Sequence, residues 1–512
     1  MKKAKPAYIV SSAKNRAKEM LKDEMSQRGV SNAQLAELLV QSGVRESAAS
    51  IANKLSRGTF SASFMMNAMS VMGAQSIPLK EPKWSPVLRE DSIQQALWFG
   101  TETQQKAQFA GIHENSRTGV RWIDVSNNKG LTTTYPDKVI SLFSGAGGLD
   151  IGLEEAGFET SVCVEIDADC RETLRKNRPA WKVFDDTSGG REPGDVKAIR
   201  ASELLEAAKL DVGEAALVVG GAPCQAFSNI GKRQGVTDVE NGGDLFAHFV
   251  RIVKGVLPHA FIFENVAGIT QSKHSDVISF MNDQFKGLGY GLAGAILNSA
   301  NYGVPQKRER FIFIGMRGVA NPCLPLPTHH RDENSWKNFI SDLAPFVTRS
   351  PSPWVTVKEA FETIPTSLRK RPDYNVMNIS DFVRERMHLI KQGENFHVLP
   401  MQMRPRCWQT GKHQGQDTFG RLRLDQPSVT IRTAAYNPAK GRYIHPLEHR
   451  GLSSHEMAAL QGFPKEWEFF SAKYEKVPLV SVGRQIGNAV PPLLGRAVGL
   501  AIRKQLLLCS EY

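Results

Sequence analysis

The strongest constraint on this chain is a change of rhythm at Lys138. Beyond it, short apolar runs ("VISLF", "TSVCVEID", "ALVVGGAPC", "HAFIFENV") alternate with helical stretches expected over 168–177, 197–209 and 244–256. Alternating elements of that length predict an α/β fold, a mostly parallel Rossmann-like sheet with helices on both faces. "RERFIFIGM" adds a further strand, expected in a hairpin at the sheet edge. One core rarely grows past about 250–300 residues, so a chain of 512 must carry further units. No apolar run reaches the roughly 18 residues of a membrane span. The basic N-terminus lacks an apolar signal segment, and the six cysteines form no C-x-x-C pair. A cytoplasmic protein without a membrane anchor, metal centre or disulfide framework is expected.

The flanking regions differ in character. Residues 1–90 predict a small all-α unit. A first helix covers about 13–27, a second begins at a Ser31 or Asn32 cap with Leu35, Leu38 and Leu39 on one face, and a third covers 46–56. A helix pair joined by a glycine-containing turn suggests a helix-turn-helix, whose second helix would enter a major groove. A helical bundle for packing or dimerisation is the alternative. This unit holds 14 Lys+Arg against 7 Asp+Glu, about half of the chain's net +12, and a basic balance points to nucleic acid. Residues 91–137 read as a linker, 138–322 as the main α/β domain, 323–470 as a smaller irregular domain rich in proline, and 471–512 as a return to the first domain.

Within the sheet, "FSGAGG" (Phe143–Gly148) is a glycine-rich turn between a strand and a helix, where backbone can approach a ligand. It lacks the lysine of a phosphate loop. Glu165 and Asp167 at the next strand tip are placed for ribose hydroxyls, and Asp195 for an adenine amino group, a pattern shared by NAD and S-adenosylmethionine sites. Cys224 follows an apolar strand in a small loop stiffened by Pro223, with polar Gln225, Ser228 and Asn229 beside it, a setting for a nucleophile. Glu264 and Asn265 end another strand, and Gln306, Arg308 and Arg310 alternate on one side of the next.

Taken in order, "SLFSGAGGLDIGLEEAGF", "CVEIDADCRETLRKN", "GDV", "LVVGGAPCQAFS", "FIFENV", "NYGVPQKRERFIFIG", "LSSHEMAALQGFP" and "GRQIGNAVPPLLGRAVG" resemble the DNA (cytosine-5)-methyltransferases of bacterial restriction–modification systems, over about 139–502. A dinucleotide oxidoreductase would share the glycine turn but not "PCQAFS" or "ENV"; a transfer-RNA cytosine methyltransferase would share the chemistry.

The resemblance implies transfer of a methyl group from S-adenosyl-L-methionine to C5 of a cytosine flipped out of double-stranded DNA. Cys224 would add to ring C6, Glu264 hold or protonate N3, Arg308 bind near O2 and phosphate, and Asn265 organise the loop. Phe143, Gly145, Gly147, Glu165, Ile166, Asp195, Pro223, Asn488 and Val490 would surround the cofactor. Gln225, Ser228, Lys232, Arg233, Gln306 and Arg310 would contact DNA, the loop after Cys224 closing over it. Target choice would lie in about 323–433, with Arg404, Arg406 and Lys412 there on phosphates. The N-terminal unit resembles helix-turn-helix modules fused to some modification enzymes, which implies binding to the protein's own promoter. A cognate endonuclease acting separately is the further partner implied.

Overall fold

The computed structural model describes residues 28–42, 47–57, 112–126, 136–222, 245–270, 282–409 and 415–510, except 186, 188–189, 345–346, 348 and 416, together with a few positions of 21–26 and 64–72. Compact units divide at Trp98 and Phe99. In the N-terminal unit, α1 (Asn32–Gln41) starts at Ser31, whose hydroxyl accepts from Gln34 N–H while the Gln34 side chain reaches back to Ser31 N–H. α2 (Ala48–Arg57) follows. Leu35, Leu39, Ile51 and Leu55 pack into one small core with Leu21, Met25 and Phe64. The first expected helix and the turn at 43–46 lie largely outside the described residues.

The larger unit carries a hairpin, β1 (Ile112–Asn115) and β2 (Arg121–Ile123), where a linker was expected. The alternating elements follow: β3 (Lys138–Leu142), α3 (Gly148–Glu155), β4 (Glu159–Val164), α4 (Ala168–Asn177), β5 (Lys182–Val183), α5 (Ala201–Ala208), β6 (Leu217–Gly220), α6 (Leu245–Val256), β7 (Ala260–Val266), β8 (Tyr290–Asn298) and β9 (Glu309–Arg317). They form a seven-stranded sheet in the order β5-β4-β3-β6-β7-β9-β8. All pairs are parallel up to β7, and β9 runs antiparallel to both neighbours. The parallel order brings the C-terminal ends of β3, β4, β6 and β7 to one rim, and it is there that ligands of such sheets bind. Apolar cores cover both faces.

Past the sheet come β10 (Cys323–Pro325), β11 (His329–His330), α7 (Glu333–Ile340), β12 (Leu343–Ala344), β13 (Ser352–Pro353), α8 (Val357–Glu362), α9 (Asp381–His388), α10 (Ser454–Gln461), α11 (Leu479–Asn488) and α12 (Pro492–Ser510). The hairpin inserts between β10 and β12, giving the order β10-β2-β1-β12. Cys323 is in turn gripped at its backbone N–H and C=O by the Gln505 amide of α12. Two expected boundaries therefore move. Part of 91–137 belongs to the catalytic unit, and 323–343 packs with α12 rather than with a separate domain. The irregular domain's own core is Met387, Ile390, Phe396, Leu399, Phe419 and Ile444.

α12 returns across α3, as the apolar C-terminus predicts. The crossing is close: a Cβ on Gly152 would stand 2.1 Å from the Pro492 carbonyl, and one on Gly148 2.3 Å from that of Val490. Glycine on α3 lets the last segment of the chain rest directly on the helix that follows the glycine-rich turn.

Candidate active site

Leaving β3, the backbone turns left-handed at Phe143 (φ +54°), Gly145 (+55°) and Gly147 (+80°). For a phenylalanine that conformation costs about 1–2 kcal/mol. A Cβ at Gly145 would meet nothing within 4 Å, so this turn faces open space. Glu165 ties the turn to β4, one carboxylate oxygen accepting from Gly145 N–H (2.7 Å) and the other from Asp167 N–H (2.8 Å). Burial pushes its pKa up against those two bonds, and each oxygen keeps a second lone pair. Beside it Ile166 is 51% exposed, an apolar platform at the strand tip. The loop carrying Asp195 presses on the same tip, since a Cβ at Gly194 would lie 2.0 Å from the Glu165 carbonyl. Asp195 accepts from Lys197 N–H and is half-exposed. Val490 is buried with its carbonyl against Gly148, and Asn488 is exposed at the end of α11. These residues fit an adenosine-bearing ligand: an apolar platform, carboxylates for hydroxyl and amino groups, and open glycine backbone.

Two details at this rim escape the sequence. Asp167 is committed to capping α4, accepting from Asp169 and Cys170 N–H, and its outer oxygen pairs with Arg484 at 2.8 Å. Of the two acids at this strand tip, Glu165 is the one not committed to a helix cap. Arg171, a basic residue in the first turns of α4, donates from one nitrogen to the carbonyls of Glu165, Ile166 and Pro193, joining both loops.

At the neighbouring strands the second half of the site is assembled. Glu264 Oε1 lies 2.7 Å from Arg310 Nε, and both side chains are mostly buried. A Cβ on Gly221 would stand 2.5 Å from Glu264 Oε2, so this carboxylate sits against the backbone just past β6. Burial raises its pKa, with Arg310 and then Arg308 pulling the other way. Asn265 is buried and donates from Nδ2 to the Ala222 carbonyl (3.1 Å), while its Oδ1 accepts from Val266 N–H. It anchors the chain two residues before Cys224. Pro223, Cys224, Gln225, Ser228, Lys232 and Arg233 lie outside the described residues, as does the loop expected to close over DNA.

Two expectations are corrected. Arg308 acts on Glu264 only through space, its own hydrogen bonds being spent on the returning chain. It is fully buried and donates to the carbonyls of Ile431 (3.0 Å), Gly487 (2.9 Å) and Ala489 (3.0 Å). Gln306, expected on DNA, is also fully buried, bonded to Leu460 O, Gln461 Oε1 and Ile431 N–H. Both precede β9, where the chain is wrapped by returning segments, and only Arg310 of the three reaches Glu264. Arg404, expected on phosphate, is part-exposed and donates to the carbonyls of His397 and Leu399. Lys412 is outside the described residues.

Residues 138–504 match the family model for the C-5 cytosine-specific DNA methylases, more than two thirds of the chain. The chain belongs to this family. Among its relatives, the type II methyltransferase M.Sau96I of Staphylococcus aureus is 34% identical over 388 residues, 74% of this chain and 78% of the relative. M1.HphI of Haemophilus parahaemolyticus is 31% identical over 376 residues, 73% and 87% of the two chains. M.XorII of Xanthomonas oryzae is 33% identical over 385 residues, 72% and 84%. Residues 13–77 match a separate domain of unknown function. The protein is thus a DNA cytosine-C5 methyltransferase of restriction–modification type, in a family whose methyl donor is S-adenosylmethionine. Among the described residues no helix is long and apolar enough to cross a membrane.

Proposed function

We propose that this methyltransferase works through a transient bond between Cys224 and C6 of a cytosine extruded from duplex DNA. The observation that carries this reading is the Glu264–Arg310 pair seated against Gly221, three residues before Cys224. Cytosine C5 is a weak nucleophile while the ring is aromatic. Addition of the thiolate to C6 moves an electron pair into the ring, and a proton from Glu264 at N3 offsets the charge that develops there. Burial suits Glu264 to this task, because a carboxyl with a raised pKa still holds its proton closer to neutrality. Arg310 fixes its orientation, and Asn265 fixes the start of the cysteine loop. The bound cofactor supplies the methyl group as an electrophilic sulfonium. After transfer to C5, a water molecule takes the C5 proton, the freed electron pair restores the C5–C6 double bond and expels Cys224 as thiolate, and N3 returns its proton to Glu264.

Within this reading, Glu165 takes the ribose hydroxyls, Ile166 and Phe143 the adenine faces, Asp195 its amino group, with Gly145, Gly147, Pro223, Asn488 and Val490 completing the pocket. Gln225, Ser228, Lys232 and Arg233 meet the DNA, and the irregular domain selects the target sequence. The N-terminal unit acts as a DNA-binding autoregulator on the protein's own promoter, in a system with a separate endonuclease.

The test is covalent trapping on duplex DNA bearing 5-fluorocytosine at its target sites, where fluorine replaces the C5 hydrogen whose loss would release the cysteine. Wild-type protein with cofactor forms an adduct stable to denaturation, and Cys224→Ala forms none while still binding the DNA. An adduct with the alanine variant would overturn the mechanism. Methylation mapping in a host that lacks cytosine methylation gives the target sequence.

A further inference from the structure

Beyond the cytosine rim, the sheet continues through β9 to its edge strand β8. Outside the end of β8 lies a groove of about 410 Å³, a volume in the range of small-ligand sites. Its walls are aromatic: Trp122 from the hairpin, Phe339 from α7 and Trp354 after β13, with Ile296 of β8 43% exposed beside them. Its polar side carries His329, His330, Arg331, Ser335 and the carboxylate of Glu309, with Arg331 also paired to Asp332 at 2.6 Å. Trp354 is held as a fixed platform, its indole N–H donating to Asn301 Oδ1 and its backbone N–H to the His330 carbonyl, both at 2.9 Å. The exposed Lys307 places its ammonium 5.8 Å from the centre of that ring. Nδ1 of His330 is buried without a hydrogen-bond partner. The hairpin that contributes Trp122 precedes the segment matched by the family model.

Aromatic platforms joined to cationic groups are the chemistry that holds single nucleotides: the ring takes a base face, and the cations take phosphate. Position identifies the source. Arg310, which meets Glu264, and Glu309, which lines the groove, are consecutive residues of β9 and point to opposite faces, so the groove shares the rim with the carboxylate but lies across the strand. With neighbouring strands about 4.8 Å apart, the end of β8 is about 10 Å from that of β7, roughly three base-pair rises along a duplex. We propose that this groove is an accessory nucleotide subsite that stacks a base of the bound DNA on Trp354, a few positions from the target cytosine. A free mononucleotide offers the same chemistry, and the experiment separates the two.

The proposal rests on action upon duplex DNA, so wild-type methyl transfer is measured first on DNA containing target sites. Its absence would overturn the functional reading. With transfer established, Trp354→Ala is expected to raise the KM for DNA about 10-fold with kcat within about twofold, and Trp354→Phe to stay near wild type, since base stacking needs only a ring. Lys307→Gln, at an exposed position, gives a second reading independent of folding: a KM raised about threefold and a shallower dependence on salt. Millimolar dGMP should compete with DNA for the wild type and not for Trp354→Ala. An unmoved KM in Trp354→Ala and Lys307→Gln, with melting temperatures at the wild-type value, overturns the proposal. Binding of dGMP that depends on Trp354 while the DNA KM stays fixed also overturns it, assigning the groove to a free nucleotide.

Discussion

The cofactor rim and the irregular domain are held together by opposite means. At the rim, carboxylates accept from backbone N–H groups: Glu165 from Gly145 and Asp167, Asp167 from Asp169 and Cys170. In the irregular domain, guanidinium groups donate to backbone carbonyls. Arg421 alone reaches those of Met387, Ile390, His445 and Glu448, and Arg442 those of Gly393 and Glu394. Parallel strands satisfy their own backbones and leave only tips and turns to be capped. A segment with little regular structure leaves carbonyls inside with no ladder partner, and arginine, with five donors in a planar fork, meets several at once. The arginines Arg421 and Arg442 are therefore internal scaffolding rather than part of a phosphate-binding surface.

The sharpest test of this contrast begins at the rim. Glu264→Gln is expected to lower kcat by about 10²–10⁴-fold, the usual reach of a positioned acid, with melting little changed. The acid form is the working form and its pKa is raised, so wild-type kcat falls as pH rises through that pKa, and the glutamine variant loses this limb. A variant that keeps the limb would assign the proton to another group. Next in size is Arg421→Ala. It strands four carbonyls in or near the core of the irregular domain and should cost about 3–5 kcal/mol in denaturant unfolding, whereas a loss under about 1 kcal/mol would mean that water replaces the guanidinium. The smallest effect is expected at Asp150, fully buried in α3 under the glycine-rich turn, whose carboxyl burial pushes from 3.8 up to about 6. The stability this protonated carboxyl allows is fully present below about pH 4 and is lost progressively as pH rises to about 6, at a cost near 2–3 kcal/mol. Asp150→Asn should remove that slope from a stability–pH profile. A slope that persists in the variant would place its source elsewhere.

Legibility in the sequence follows how local each interaction is. The helix expected over 168–177 is found there because its cap, Asp167, and its basic last turn are all within reach of one another. The glycine turn and the acids at the strand tips are likewise written within a few residues. Arg308 and Gln306 were misplaced because alternation tells which residues share a side, not what covers that side; their partners are 123 to 181 residues away. The hairpin at 112–123 is invisible for the same reason. Its strands are of four and three residues, and they acquire their outer neighbours some two hundred residues later. Arg171 carries no signal in its own segment, since three carbonyls on two loops define its role.

The arrangement around β10 also sets a timetable for synthesis. Its strand partner leaves the ribosome about two hundred residues before it, and its helical clasp, Gln505, almost two hundred after. The carbonyl of Val490 that closes on Gly148 belongs to the same late segment. A nascent chain therefore has its strands and its glycine turn long before it has a finished pocket, and the ability to modify DNA waits for the segment that carries Val490 and Gln505.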